Sequence, residues 1–118
     1  AFNEPGSSLG SRTRIKTLTE RTRQDNSRFF ENIDEVPKYC VTMGIGTIME
    51  SGKLLLLANG ANKAEAIAAA VEGPITASVP ASAIQLHPDV TVIMDRAASS
   101  KLTREYHSQP HFLEGEEQ

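Results

Sequence analysis

The residues of this chain that can do chemistry are cations, hydroxyls and one carboxylate in a tight loop. Lys63 follows an apolar run through Asn59-Gly60-Ala61-Asn62 and stands where a helix begins. In α/β sheets the crevice beyond the carboxyl ends of the strands holds ligands. A helix start at that point offers N–H groups to an anion, and a Lys adds a full charge. Lys63 is either a phosphate ligand or a solvated Lys in a first turn. Arg28 stands just before Phe29-Phe30, at the end of a polar stretch. A guanidinium beside aromatic rings suits bidentate phosphate binding. It suits equally a cation that complements a helix C-terminus.

Arg12, Arg14 and Lys16 place three cations on one face of a strand. They form a solvated edge or, with the hydroxyls of Ser7 and Ser8, a second anion site. Glu4 lies between Asn3 and Pro5, where it is a catalytic acid or base or simply a solvated loop residue. His107 and His111 are four apart, a zinc-binding spacing on a helix. Pro110 argues against that helix and no third ligand is evident. His87, before Pro88, reads as a helix-terminal residue. Gly44-Ile45-Gly46 lacks the third glycine of a dinucleotide fingerprint, and no P-loop is present.

The elements that position these residues follow from periodicity and punctuation. Residues 1–11 read as loop, rich in Gly, Pro and Ser. Residues 12–18 alternate as a strand, with Thr13, Ile15 and Thr17 on the face opposite the cations. Thr17 and Glu20 fit a capping box before a polar helix over about 19–30, on which Arg21 and Asp25 are spaced to pair. Residues 37–43 form a short apolar element, and residues 47–51 a helical turn. Residues 53–59 are a continuous apolar run between Gly52 and Gly60, the pattern of a strand buried on both faces. Asn62 caps a helix to Gly73 whose buried stripe is Ala64, Ile67, Ala70 and Val71. Residues 80–86 suggest a short helix, residues 90–95 a second buried strand and residues 96–102 a weak helix. Strand, helix, helix, strand predicts a βαβ-like arrangement with a parallel sheet. Residues 105–118 are a polar tail with an acidic end, expected to be disordered.

Length and composition bound the rest. The 118 residues allow one domain at most. A formal charge of −3 opposes nucleic acid or an acidic membrane as partner, so any anion site must be a local cluster. The single cysteine, Cys40, forbids an internal disulfide and reads as a buried inert thiol in a reducing cytoplasm. The longest aliphatic block, residues 54–58, is far short of the about 20 residues that span a bilayer, and no signal peptide is evident. The opening Ala1-Phe2-Asn3-Glu4-Pro5-Gly6 reads like a protein interior. Two strands are too few to complete a sheet core. Both features predict a piece of a larger domain.

Several strings resemble one family. Phe2-Asn3-Glu4-Pro5, Ser7-Ser8, Ser11-Arg12-Thr13-Arg14 and Asn26-Ser27-Arg28-Phe29-Phe30 are similar to the glucosamine-6-phosphate deaminases. So are Val36-Pro37-Lys38, Gly44-Ile45-Gly46-Thr47, Lys63-Ala64, Val71-Glu72-Gly73 and Leu86-His87-Pro88. The resemblance covers about residues 1–100; its first half is specific to the deaminases, its second half shared with sugar-phosphate isomerases and 6-phosphogluconolactonases. It implies an α/β fold: part of a three-layer, mainly parallel-sheet, Rossmann-like domain, with residues 1–104 as its C-terminal portion. It implies conversion of glucosamine 6-phosphate and water to fructose 6-phosphate and ammonia in amino-sugar catabolism, a cytoplasmic reaction expected to fall among the hydrolases. No organic cofactor is implied.

On this resemblance Glu4 matches the carboxylate that, with an upstream Asp and His, assists opening of the sugar ring. Arg28 and Lys63 match the cations that hold the substrate phosphate. Ser7, Arg14, Lys16 and Thr17 match positions that bind N-acetylglucosamine 6-phosphate in hexameric, allosteric members, which implies a homo-oligomer and an activator. Tyr106 has the wrong spacing from Asp95 to be the family's C-terminal aromatic contact. The family's first phosphate loop, general-base Asp and Asp–His pair lie upstream of its Asn-Glu-Pro loop and have no match here, so the 118 residues alone are expected to be inactive. Two alternatives stand beside the enzyme: a non-catalytic sugar-phosphate sensor on the same fold, and a 6-phosphogluconolactonase-like hydrolase.

Overall fold

The computed structural model of the chain describes residues 1–106. The expected tail beyond that point, with His107 and His111, lies outside the described residues. Seven elements follow a long opening loop: β1 (Arg14–Thr17), α1 (Glu20–Asn26), β2 (Tyr39–Thr42), α2 (Ile45–Met49), β3 (Leu54–Ala58), α3 (Ala64–Glu72) and β4 (Val90–Met94). Short 3-10 turns sit at Ser27–Phe29, Ile33–Glu35, Ala61–Lys63 and Pro80–Leu86.

The βαβ expectation holds in the second half. β3 and β4 pair in parallel, with Leu54 opposite Val90 and Ala58 opposite Met94, and α3 lies in the connection between them. The first half departs from a mainly parallel arrangement: β1 and β2 pair antiparallel, Arg14 facing Thr42 and Thr17 facing Tyr39. The fold is therefore mixed helix and strand, with one sheet of each kind among the described residues.

The core is small. Val36, Ile45, Ala64, Ile67, Ala70, Ala83 and Ala98 are its buried apolar residues, and the Ala64, Ile67, Ala70 stripe packs α3 against the Pro80–Leu86 turn, where Gln85 Nε2 donates to Ala70 O at 2.8 Å. The β3 run is not buried on both faces as its composition predicts. Strand alternation turns Leu55 and Leu57 outward, 60% and 64% exposed, while Leu54, Leu56 and Ala58 face the interior. Ile93 on β4 is outward in the same way, at 50%.

Local signals shifted by a residue or two. The N-cap of α1 is Thr19, whose side chain accepts from Thr22 N, so the box expected at Thr17 and Glu20 does not form. Arg21 and Asp25 make no ion pair among the described residues; Arg23 instead reaches Glu20 at 3.5 Å and donates to Ile33 O and Val36 O, tying α1 to the following loop. Lys63 rather than Asn62 occupies the cap position of α3, without a side-chain cap bond. Residues 96–102 form turns, not a helix. Cys40 is half-buried rather than buried.

The opening loop is fastened to the start of α2 through Ser11. Ile45 N donates to Ser11 Oγ at 2.9 Å and Thr47 N to Ser11 O at 3.3 Å. Gly44 and Gly46 permit this approach: a methyl group at Gly44 would overlap the Ser11 carbonyl, and one at Gly46 would come within 2.7 Å of Gly10 O. Gly44→Ala is expected to destabilise the fold by about 3 kcal/mol or more through this overlap. Gly52→Ala, with open space around it, is expected to be near neutral. Chemical denaturation of both variants checks the contrast; equal midpoints would show that the loop contact contributes little.

Candidate functional site

The opening loop brings four of the expected residues into one cluster. Gly6, at a positive φ of 93°, lets the chain turn back after Pro5. Ser7 N then donates to Glu4 O at 3.0 Å. Arg14 Nη1 donates to Asn3 Oδ1 at 3.0 Å, and Asn3 Nδ2 donates to Met43 O at 2.9 Å, across 40 residues of chain. Lys16 Nζ donates to the buried Ser7 Oγ at 2.9 Å. The Arg14 and Lys16 face of β1 is thus turned inward onto the loop, and Ile15, on the opposite face, is 73% exposed opposite the equally exposed Val41.

Glu4 is the best-connected carboxylate of this cluster. Its Oε2 accepts from Thr19 Oγ1 and Thr22 Oγ1 at 2.6 Å each and from Thr19 N at 3.1 Å. Burial pushes its pKa up, but the donors of Thr19 and Thr22 and the positive charge of Lys16 outweigh it, and the net shift is downward. Glu4 is thereby held as an ionised carboxylate at neutral pH.

Arg28 and Lys63 are placed differently. Arg28 lies in the turn that extends α1, its guanidinium 4.8 Å over the Phe29 ring. Lys63 ends the turn that follows β3. That turn is set by Gly60, at φ 91°, whose N–H donates to both carboxylate oxygens of Asp95 at 3.1 Å. Both head groups are exposed, and among the described residues no hydrogen bond or ion pair joins them to each other or to the Glu4 cluster. Thr17 lies on the strand face opposite Arg14 and Lys16, and its side chain makes no hydrogen bond among the described residues.

No family model matches the chain. The chain is 64% identical over 102 residues to glucosamine-6-phosphate deaminase of Cutibacterium acnes, and 61% identical over 101 residues to that of Rhodococcus opacus, in each case over 86% of its own length. A solved structure of a monomeric glucosamine-6-phosphate deaminase, described as a missing link of the NagB superfamily, matches 84% of the chain with a TM-score of 0.80 and 56% identity. Over most of its own length the chain is similar to the glucosamine-6-phosphate deaminases. It spans about two fifths of the length of these relatives, 39% of each of the two curated proteins and 41% of the solved one.

One expectation is overturned by these names. The relatives are deaminases, not hydrolases, and the hydrolase class is withdrawn. The names also give no support to the lactonase or sensor readings.

Sequence reasoning passed over Thr19 and Thr22, which hold the expected carboxylate of this deaminase segment. The available signal was a cap residue with a second hydroxyl three positions on, following a loop carboxylate with no assigned partner. It also passed over Glu72, whose carboxylate accepts from Tyr106 Oη at 2.6 Å, Thr103 N and Oγ1 at 3.0 and 3.1 Å, and Arg104 N at 2.9 Å. These donors, Tyr106 first, lower its pKa from 4.5 to about 2, and the same contact raises that of Tyr106.

A folded-state pKa below the unfolded one gives stability that is present above the unfolded pKa and lost as pH falls through the folded one. For Glu72 that window runs from 4.5 down to about 2. Glu72→Gln, which cannot ionise, is expected to be less stable than the parent at about pH 6, with the gap closing as pH falls towards about 2. Urea midpoints across this range check it; a gap independent of pH would mean that charge is not what Glu72 contributes.

Proposed function

We propose that this chain carries part of the site of an enzyme that converts glucosamine 6-phosphate to fructose 6-phosphate and ammonia. The observation that carries the reading is the 61–64% identity to named glucosamine-6-phosphate deaminases over 86% of the chain. The local chemistry supports it. Arg28 and Lys63 supply exposed cations to the substrate phosphate, and a fixed phosphate orients the sugar so that proton transfer occurs within one complex. The same cations favour an anionic, enediolate-like intermediate. Glu4, held as a carboxylate, accepts and returns the proton exchanged during ring opening.

The same reading gives the finer assignments. The exposed face formed by Leu55, Leu57 and Ile93 becomes an inner surface of a three-layer, mainly parallel α/β domain. Ser7, Arg14, Lys16 and Thr17 receive N-acetylglucosamine 6-phosphate as an activator within a homo-oligomer. The enzyme works in the cytoplasm; among the described residues no helix is long and apolar enough to cross a membrane. The similar solved structure is described as monomeric, so sedimentation with and without the activator is the measurement that decides assembly. Activator-independent kinetics from a monomer would remove the oligomer and activator together.

Ammonia release from glucosamine 6-phosphate by the full-length protein tests the main reading. Arg28→Ala and Lys63→Ala are each expected to raise KM about tenfold or more, through loss of a charged phosphate contact. Near-normal kinetics in both variants would remove the phosphate assignment.

A further inference from the structure

We propose that Thr19 and Thr22 are positioning residues that commit one oxygen of Glu4 to the fold and leave the other, Oε1, as the oxygen that exchanges protons. The proposal rests on the reading of Glu4 given above. It starts from a count of protons. Each threonine hydroxyl carries one proton, and both lie 2.6 Å from Glu4 Oε2. The Thr19 amide adds a third donor to that oxygen at 3.1 Å. The two hydroxyl oxygens are themselves 3.0 Å apart. With both protons aimed at Oε2, that contact has no proton left to share.

Three donors converging on one oxygen leave no acceptor there for a carboxylic proton. Protonation at Oε2 would force a hydroxyl to turn away, and Thr19 Oγ1 is already fixed by accepting from Thr22 N at 3.2 Å. Oε1 has no hydrogen bond among the described residues. A proton that Glu4 gains therefore binds Oε1, is held there while the carboxyl is neutral, and leaves from the same atom.

Position follows from the same contacts. Glu4 sits in a loop, where an unbraced side chain samples several rotamers. Thr19 and Thr22 belong to the start of α1, and Thr22 is half-buried. Lys16 on β1 is the charged group that acts on Glu4. Burial raises the carboxyl pKa while the hydroxyl donors lower it, so removing one donor moves it upward.

The test is Thr22→Val in the full-length protein, with Thr22→Ser as the variant that keeps the hydroxyl. Thr22→Val is expected to shift the acid limb of kcat/KM to higher pH and to lower kcat about tenfold, with little change in KM. Thr22→Ser is expected to restore both. An unmoved acid limb with unchanged kcat overturns the proposal, as does a loss that serine does not rescue. Thr22→Ala is read in the same way should the valine variant fail to fold. A direct readout separates this claim from the functional one: the carboxyl carbon of Glu4, followed by NMR against pH. A higher titration midpoint in Thr22→Val supports the proposal even if the parent releases no ammonia, a result that sinks only the deaminase reading. An identical midpoint overturns it whatever the activity.

Discussion

One carboxylate oxygen ties the first half of the molecule together. Glu4 Oε2 joins a loop that has no regular structure of its own to the N-terminus of α1. The same loop reaches β1 through Lys16 and Ser7, and the end of β2 through Asn3 and Met43. These contacts hold a loop of which only Ser7, within residues 1–10, is buried. A functional group carried on a loop is precise only when polar contacts to rigid elements hold it. Here the donors are hydroxyls and an amide directed at a charge, and such bonds are stronger than neutral ones.

The elements were largely legible in the sequence, and their faces were not. Every strand and the main helices lie within the stretches that alternation and punctuation mark out, because backbone propensity is local. Which way a strand faces is a tertiary matter. The cations of β1 look like the solvent side, and by transfer energies they should be. The structure turns them inward because Asn3 and Ser7 supply oxygens at the right distance, and those partners are 9 to 11 residues away across two turns. Ile15 is exposed as a consequence, since a strand cannot bury both faces on one sheet partner. The cap of α1 shows the same limit on a smaller scale. The box expected from Thr17 and Glu20 gives way to Thr19, whose side chain accepts from Thr22 N and donates to Glu4 Oε2, a partner in a separate loop.

The apolar run of β3 shows a second kind of mismatch. Leu54 to Leu57 is the signature of a strand covered on both sides, yet Leu55 and Leu57 stand outward together with Ile93 of the paired strand. The composition matches a larger sheet than these two strands make, and the chain spans about two fifths of its curated relatives. Sequence and structure are consistent once the residue pattern is taken to describe the whole domain of the relatives, while exposure describes this segment alone.

The cations separate by what already satisfies them, and this bears on where an anion can act. Arg28 and Lys63 are exposed and make no ion pair among the described residues, so a phosphate would replace only their water. Arg14 and Lys16 already donate to Asn3 and to the buried Ser7. An anion drawn to them has to compete with those oxygens, and each bond it displaces leaves a loop group seeking a new partner. Binding there is therefore weaker than the charge count suggests, but it does not stay local. The groups it would release, Asn3 and Ser7, lie in the same loop as Glu4, and Lys16 also acts on the Glu4 carboxylate through its charge.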